Sequence, residues 1–319
     1  MPNSSDVGGK EKQAGGPEYH AAGGRDFHVA YRLYATPKTR FPASEYTLDR
    51  LLKKAMLLAR FQTTRAMTVS EASARDIQEV FHIPRRRIDV ITEGADPVFR
   101  LIHDPAGAVR VRAQHGIPLD AELLVYVGGI NPHKNLLGLL KALPQVLAER
   151  SKVHLAIVGD TSGKGFWDNI AELKRMIDTN VLLARHVHFT GYMPDSDLAE
   201  FLNGAAALVF PSLWEGFGLP AVEAMSCGLP VLASRRASLP EVIGDAGLFF
   251  DPEIPSDIAS CTLRFLRDPE LRSQLQKIAL ERVRSFTWDR AAELANLSFQ
   301  RCHEDGGLRQ DRPDLVKYL

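Results

Sequence analysis

Apolar residues along this chain gather into short runs, separated by longer stretches in which apolar and polar positions alternate with helical spacing. The runs Leu123–Val127, Val153–Val158, Val187–Phe189, Ala207–Phe210 and Val231–Ala233 are apolar at nearly every position, as strands covered on both faces are. Between and after them, helices are predicted to begin near Lys134, Phe166, Asp195, Leu219 and Pro255. Such an alternation predicts a parallel sheet flanked by helices, and residues 121–285 read as one complete Rossmann-like α/β domain. Helical segments at Leu271–Phe286 and Trp288–Arg301 close it, with a C-terminal helix assigned to 286–303 and a loose tail to 304–319.

The pattern upstream is weaker. Residues 1–26 are rich in Gly, Ser, Lys and Glu and nearly free of large apolar side chains, so they read as a disordered N-terminal segment. Residues 27–100 read as a partial N-terminal α/β domain: a strand at His28–Ala35, a turn at Phe41–Ser44, and a helix over Tyr46–Phe61. A short strand at Ala66–Val69 follows, then Ser70 as N-cap of a helix over Ala72–Phe81, then a strand at Ile88–Thr92. Residues 101–120 carry Pro105, Gly107, Gly116 and Pro118 and read as a linker. There is no internal repeat.

Two loops at the ends of predicted strands carry the candidate chemistry. The first is Glu215-Gly-Phe-Gly-Leu219, after an apolar strand and before a helix that starts near Pro220. Proline suits the first turn of a helix, and the amides of Gly216, Phe217, Gly218 and Leu219 are free to bind ligand oxygens. Glu215 and Glu223 flank those amides, and the helix dipole is expected to keep both ionised as hydroxyl acceptors. The second loop follows the first strand of the domain: Gly128 and Gly129 let a ligand approach the backbone, and Lys134 supplies a cation. A capping glutamate or a Gly-Gly turn alone is commonly structural. Both loops at the strand ends of one sheet instead predict a site for a ligand rich in hydroxyls and phosphates.

Glu215 and Glu223 within Glu-Gly-Phe-Gly-Leu-Pro…Glu-Ala-Met, with Gly228-Leu-Pro-Val and Leu239-Pro-Glu-Val after them, resemble retaining glycosyltransferase family 4, the group 1 transferases. The resemblance runs from about residue 30 to 300. It implies a GT-B-like fold: a complete donor domain facing an incomplete N-terminal acceptor-side domain whose first half is missing. The family's His-Asp pair is absent where Tyr31-Arg-Leu-Tyr34 stands. By the same resemblance, Glu223 accepts from the ribose hydroxyls, Glu215 lies by the donor sugar, and the Gly216–Leu219 amides bind sugar and phosphate. Lys134 contacts the diphosphate, and Gly191 and Tyr192 line the base. The implied activity is transfer of a mannose- or glucose-type hexosyl unit from a GDP- or UDP-sugar, with retention, to a saccharide or lipid-linked acceptor in surface glycan synthesis. Glu215 and Lys134 are the implied catalytic residues. The alternative is a truncated, non-catalytic nucleotide-sugar-binding relative, or one subunit of a split transferase whose N-terminal domain a protein partner completes. Gly129 and His133 stand where the family often has Arg, which leaves Lys134 as the main cation.

Other motifs are set aside. Gly159-Asp-Thr-Ser-Gly-Lys-Gly165 is one residue short of a P-loop and lacks its Ser/Thr. Asp195-Ser-Asp197 mimics a metal motif but reads as a helix start capped by Asp195 or Ser196, and no cluster has metal spacing, so no protein-bound metal or cofactor is expected. Gly128-Gly129 lacks the spacing of a dinucleotide fingerprint, which argues against an oxidoreductase. Lys+Arg and Asp+Glu balance at 39 each, so no net charge points to nucleic acid. Arg85-Arg86-Arg87 reads as a solvated turn. The basic helix Arg50–Arg60 reads as a core helix with a charged face; its alternative is peripheral contact with an anionic membrane. No run reaches the roughly 18 apolar residues of a membrane span, and Cys227, Cys261 and Cys302 are sparse, so the expected setting is cytoplasmic, at most peripheral to the inner membrane face.

Overall fold

The computed structural model describes residues 63–161 and 169–310. The tail at 1–26, the strand, turn and helix expected between 28 and 61, and most of the 159–165 loop lie outside the described residues.

A first, small unit comprises β1 (Ala66–Thr68), α1 (Glu71–Phe81) and β2 (Ile88–Val90), with β1 and β2 paired in parallel. Ser70 caps α1 as predicted, accepting the Ser73 amide through its side chain. Then follow α2 (Ala106–Gln114), β3 (Glu122–Val127), α3 (Leu136–Glu149), β4 (Val153–Val158), α4 (Ile170–Asp178), α5 (Val181–His186), β5 (Val187–Gly191) and α6 (Asp195–Asn203). The remainder is β6 (Ala207–Phe210), α7 (Leu219–Ser226), β7 (Val231–Ser234), α8 (Leu239–Ile243), β8 (Gly247–Phe250), α9 (Pro255–Arg267), α10 (Pro269–Arg282) and α11 (Trp288–Gln310).

Strands β3 to β8 form one parallel six-stranded sheet in the order β5-β4-β3-β6-β7-β8. The chain winds outward from β3 to β5, returns to pair β6 against the other side of β3, and winds outward again. The order therefore reverses between β3 and β6, and the loops leaving these two strands open the crevice where ligands of such sheets bind. Leu124, Val125, Leu208 and Val209 at this seam are 1% exposed or less, so the walls of the crevice rest on the centre of the core.

Several expectations need correction. Residues 101–120 contain a helix rather than only a connection. Its Pro and Gly signals hid it, and Arg112 is buried there by donating to the Leu119 and Ala121 carbonyls. The helix expected near Lys134 starts at Leu136, because Pro132–Lys134 makes a 3-10 turn and Asn135 adopts a left-handed conformation. Neither Asp195 nor Ser196 caps α6: Pro194 holds the cap position and no side chain bonds there. Asp197 instead pairs with Arg110 of α2 at 2.7 Å. α11 runs on to Gln310, through the start of the stretch read as a loose tail. The Arg85–Arg87 turn is solvated as expected, and it is also tied down: Arg85 pairs with Glu71 and Arg87 donates to the Thr64 carbonyl.

α11 returns to the first unit. Arg65 grips Asp89 through two nitrogens at 2.6 and 2.8 Å, and Ser298 and Arg301 of α11 donate to the same carboxylate at 2.8 and 2.9 Å. Burial alone would raise the Asp89 carboxyl; the bonds from Arg65 and Ser298 outweigh it and bring it down to about 2. Arg65 also reaches Asp305. Among the described residues no helix is long and apolar enough to cross a membrane.

Candidate functional site

The β3 and β6 loops meet over the crevice. Lys134 Nζ lies 2.6 Å from Glu215 Oε1, with the two side chains 15% and 11% exposed. The ammonium also sits 5.7 Å from the centre of the Phe210 ring, at the end of β6. Sequence separates the pair by 81 positions; the reversal in strand order brings them together. Between the loops, Leu213 donates its amide to the His133 carbonyl at 2.8 Å. Asn135 bonds the Pro211 carbonyl at 3.2 Å and the Pro252 carbonyl at 2.7 Å.

Each loop has its own support. Tyr126, fully buried on β3, donates its phenol to the Gly129 carbonyl at 2.7 Å and shapes the Gly128–Gly129 turn from below. Burial, with the nearby Glu215 charge, holds that phenol well above its usual range, so it stays a donor. Ser238, also buried, donates toward the carbonyls of Glu215 and Phe217 at 3.1 and 2.9 Å. Those bonds tie the Glu215 and Phe217 carbonyls back into the protein, beside the amides of Gly216 to Leu219. Among the described residues the four amides there meet no acceptor. Gly218, the N-cap of α7, has φ +101°, and a Cβ there would stand 2.8 Å from Leu239 Cδ2. Only glycine makes this turn without strain.

Glu223 lies in the second turn of α7, half-buried, and its carboxyl makes no hydrogen bond among the described residues. Burial raises it to about 7, with like charges from Asp195, Asp96 and Glu93 adding to the effect. This corrects the expectation that the dipole keeps it ionised: the dipole weakens beyond the first turn, and desolvation wins. Glu93 is itself raised by burial. Gly191 and Tyr192 leave β5 on the other flank. The Gly191 carbonyl accepts from Gly159 at 3.0 Å and Tyr192 is 79% exposed, so this wall is joined to the Gly128 loop through the β4 end. Of the residues singled out from sequence, Lys134, Glu215 and the Gly216–Leu219 amides form one cluster.

Matched to known proteins, residues 110–282 fit the family model described as glycosyl transferases group 1. The chain belongs to the group 1 glycosyltransferases. It is similar to O-antigen chain mannosyltransferase B of Escherichia coli, 33% identical over 253 residues, which is 79% of this chain and 62% of that protein. Serotype-specific mannosyltransferase WbdA of Escherichia coli is 31% identical over 249 residues, 76% of this chain and 30% of WbdA. The chain thus spans less than two thirds of either relative. Among solved structures, Anabaena Alr3699/HepE in complex with UDP and glucose matches with a TM-score of 0.66 at 24% identity, over 79% of this chain and 68% of that one. The α/β fold with its parallel sheet is accordingly that of the GT-B glycosyltransferases.

Within this group 1 glycosyltransferase, sequence reading missed Tyr126, Ser238, Glu93 and the contacts of Ser73 and Glu241. Glu241 stood in the Leu239-Pro-Glu-Val motif, visible without a role. Among the described residues no cluster of His, Cys, Asp and Glu is placed to hold a metal ion.

Proposed function

We propose that this chain transfers a mannose- or glucose-type hexosyl unit from a nucleoside diphosphate sugar to a saccharide or lipid-linked acceptor, with retention of configuration, as in the family 4 transferases. The observation that carries this reading is the Lys134–Glu215 pair at 2.6 Å, set in the crevice beside four amides that meet no acceptor among the described residues. The nucleotide's ribose hydroxyls donate to Glu223, and Gly191 and Tyr192 flank the base. The Gly216–Leu219 amides and the Gly128–Gly129 backbone receive sugar and phosphate oxygens. As the bond from the anomeric carbon to the phosphate oxygen breaks, negative charge grows on the diphosphate and Lys134 offsets it. The acceptor oxygen bonds the same face of that carbon, and its proton passes to the departing phosphate oxygen. Lys134 supplies the local positive charge in this scheme, which assigns no metal cofactor.

GDP-mannose is the favoured donor because both Escherichia coli relatives are mannosyltransferases. UDP-glucose is the comparison, since HepE was solved with UDP and glucose. The acceptor belongs to surface polysaccharide synthesis, and the setting is the cytoplasm or the inner membrane face. Calorimetric titration with the two nucleotide sugars tests the reading. Micromolar binding of one of them, lost in Glu223→Ala, is expected, followed by transfer to a mannose-terminated acceptor. A folded protein that binds neither nucleotide sugar overturns it.

A further inference from the structure

The first turn of α1 is held by a side chain of the larger unit. The Glu241 carboxylate, on α8, accepts the backbone N–H of Glu71 at 2.7 Å and of Ala72 at 3.1 Å. These are the first two amides of α1, which helix geometry leaves without partners, and a carboxylate there meets the positive end of the helix dipole. The third amide, of Ser73, is already served by Ser70 Oγ at 3.0 Å. Two chains of contacts lead from α1 to the donor loop. Ser70 Oγ donates to Ser73 Oγ at 3.0 Å, and Ser73 Oγ donates to the Gly216 carbonyl at 3.2 Å. Near the next turn, Trp214 donates its indole N–H toward Asp76 at 3.4 Å. α8 is anchored separately, because the Arg282 guanidinium donates to the Glu241 and Val242 carbonyls at 2.5 and 3.0 Å.

We propose that Glu241 is a positioning residue for the donor site. By capping α1 from α8 it fixes where Ser73 meets the Gly216 carbonyl. That contact turns the Gly216 peptide and sets the direction in which the Gly216–Leu219 amides face the donor. Glu241 touches neither donor nor acceptor in this scheme and acts only through α1. The proposal rests on the donor-binding reading of the loop. It explains why a carboxylate stands where α8 faces α1: each of its two oxygens takes one orphan amide, and its negative charge strengthens both bonds.

Amide NMR shifts of the ligand-free full chain test the coupling without a donor. In Glu241→Ala, the amide resonances of 70–76 and 212–219 both move from their wild-type positions, while those of β3 and β4 are unchanged. Ser73→Ala moves 212–219 and leaves the Glu71 and Ala72 amides protected from hydrogen exchange. Titration with whichever of GDP-mannose and UDP-glucose binds wild type then shows the Kd raised about tenfold in Glu241→Ala, the equivalent of one charge-assisted hydrogen bond. Glu241→Gln, keeping one acceptor oxygen, falls between. A folded Glu241→Ala with unmoved 212–219 resonances, or with unchanged donor Kd, overturns the proposal. Should Glu241→Ala fail to fold, Ser73→Ala decides by the same two readouts. A wild type that binds neither nucleotide sugar defeats the donor reading, and the amide shifts still decide the coupling.

Discussion

Glu223 ties proton binding to folding and, on the proposed donor-binding reading, to ligand affinity. Its carboxyl titrates near 4.5 when unfolded and at about 7 in the fold, where burial and the charges of Asp195, Asp96 and Glu93 disfavour ionisation. Between those values the folded chain holds a proton that the unfolded chain has released, so stability falls as pH rises through the window. The separation of roughly 2.5 units corresponds to about 3 kcal/mol at about 1.4 kcal/mol per unit. Glu223→Gln removes this contribution. Urea unfolding of both proteins from about pH 4 to pH 8 is expected to show the variant gaining about 3 kcal/mol on wild type across that range. Ribose hydroxyls donating to Glu223 favour the charged form, so donor binding at pH 7 should expel about half a proton. Calorimetry in buffers of different ionisation heat measures that release. Parallel pH profiles for variant and wild type would refute the raised carboxyl, and zero proton release on binding would refute its contact with the nucleotide.

Three other perturbations test other parts of the fold. Lys134→Met should weaken donor binding by roughly two orders of magnitude, as losing a charge-assisted contact of about 3 kcal/mol would, and should strand Glu215 at 11% exposure. Adding Glu215→Gln should recover melting temperature but not affinity, so thermal melts and titrations separate the two effects. Asp89→Ala leaves Arg65, 10% exposed, without its main counter-charge and is expected to cost about 3–5 kcal/mol in urea unfolding, with faster hydrogen exchange in α11. His154 is lowered from 6.5 to about 4 by burial and by the neighbouring His186 and His188. The unfolded chain takes up that proton first, so stability should drop by about 3 kcal/mol as pH falls from 6.5 toward 4. His154→Gln should flatten the acid limb of the melting curve.

The strands of the large sheet and the loop before α7 were legible because they depend on local pattern: continuous apolar runs, a proline at a helix start, glycines at a turn. β8 was missed because Gly247-Leu-Phe-Phe250 is four residues long and offers no period. α2 was missed because its first turn combines Pro105 and Gly107, and because Arg112 fills a position where an apolar residue would have signalled burial. Glu223 was singled out, but its charge state was misjudged. Its shift comes from burial and from the charges of two other segments, Glu93 with Asp96 and Asp195, which no local window contains. The Glu241 contact spans 170 positions and follows no periodicity, so only the folded chain reveals it.

The Asp89 clasp also sets an order of events during synthesis. Ser298, Arg301 and Asp305 stand 209, 212 and 240 positions after the residues they bind. At about 5–20 residues per second, the ribosome needs roughly 10–40 s to deliver α11 after Asp89 has emerged. Throughout that interval β1, α1 and β2 exist without their last partner, while the six-stranded sheet between them is completed strand by strand. The small unit is therefore the last part of the nascent chain to be secured, and the interval before α11 arrives is when a chaperone would find it open.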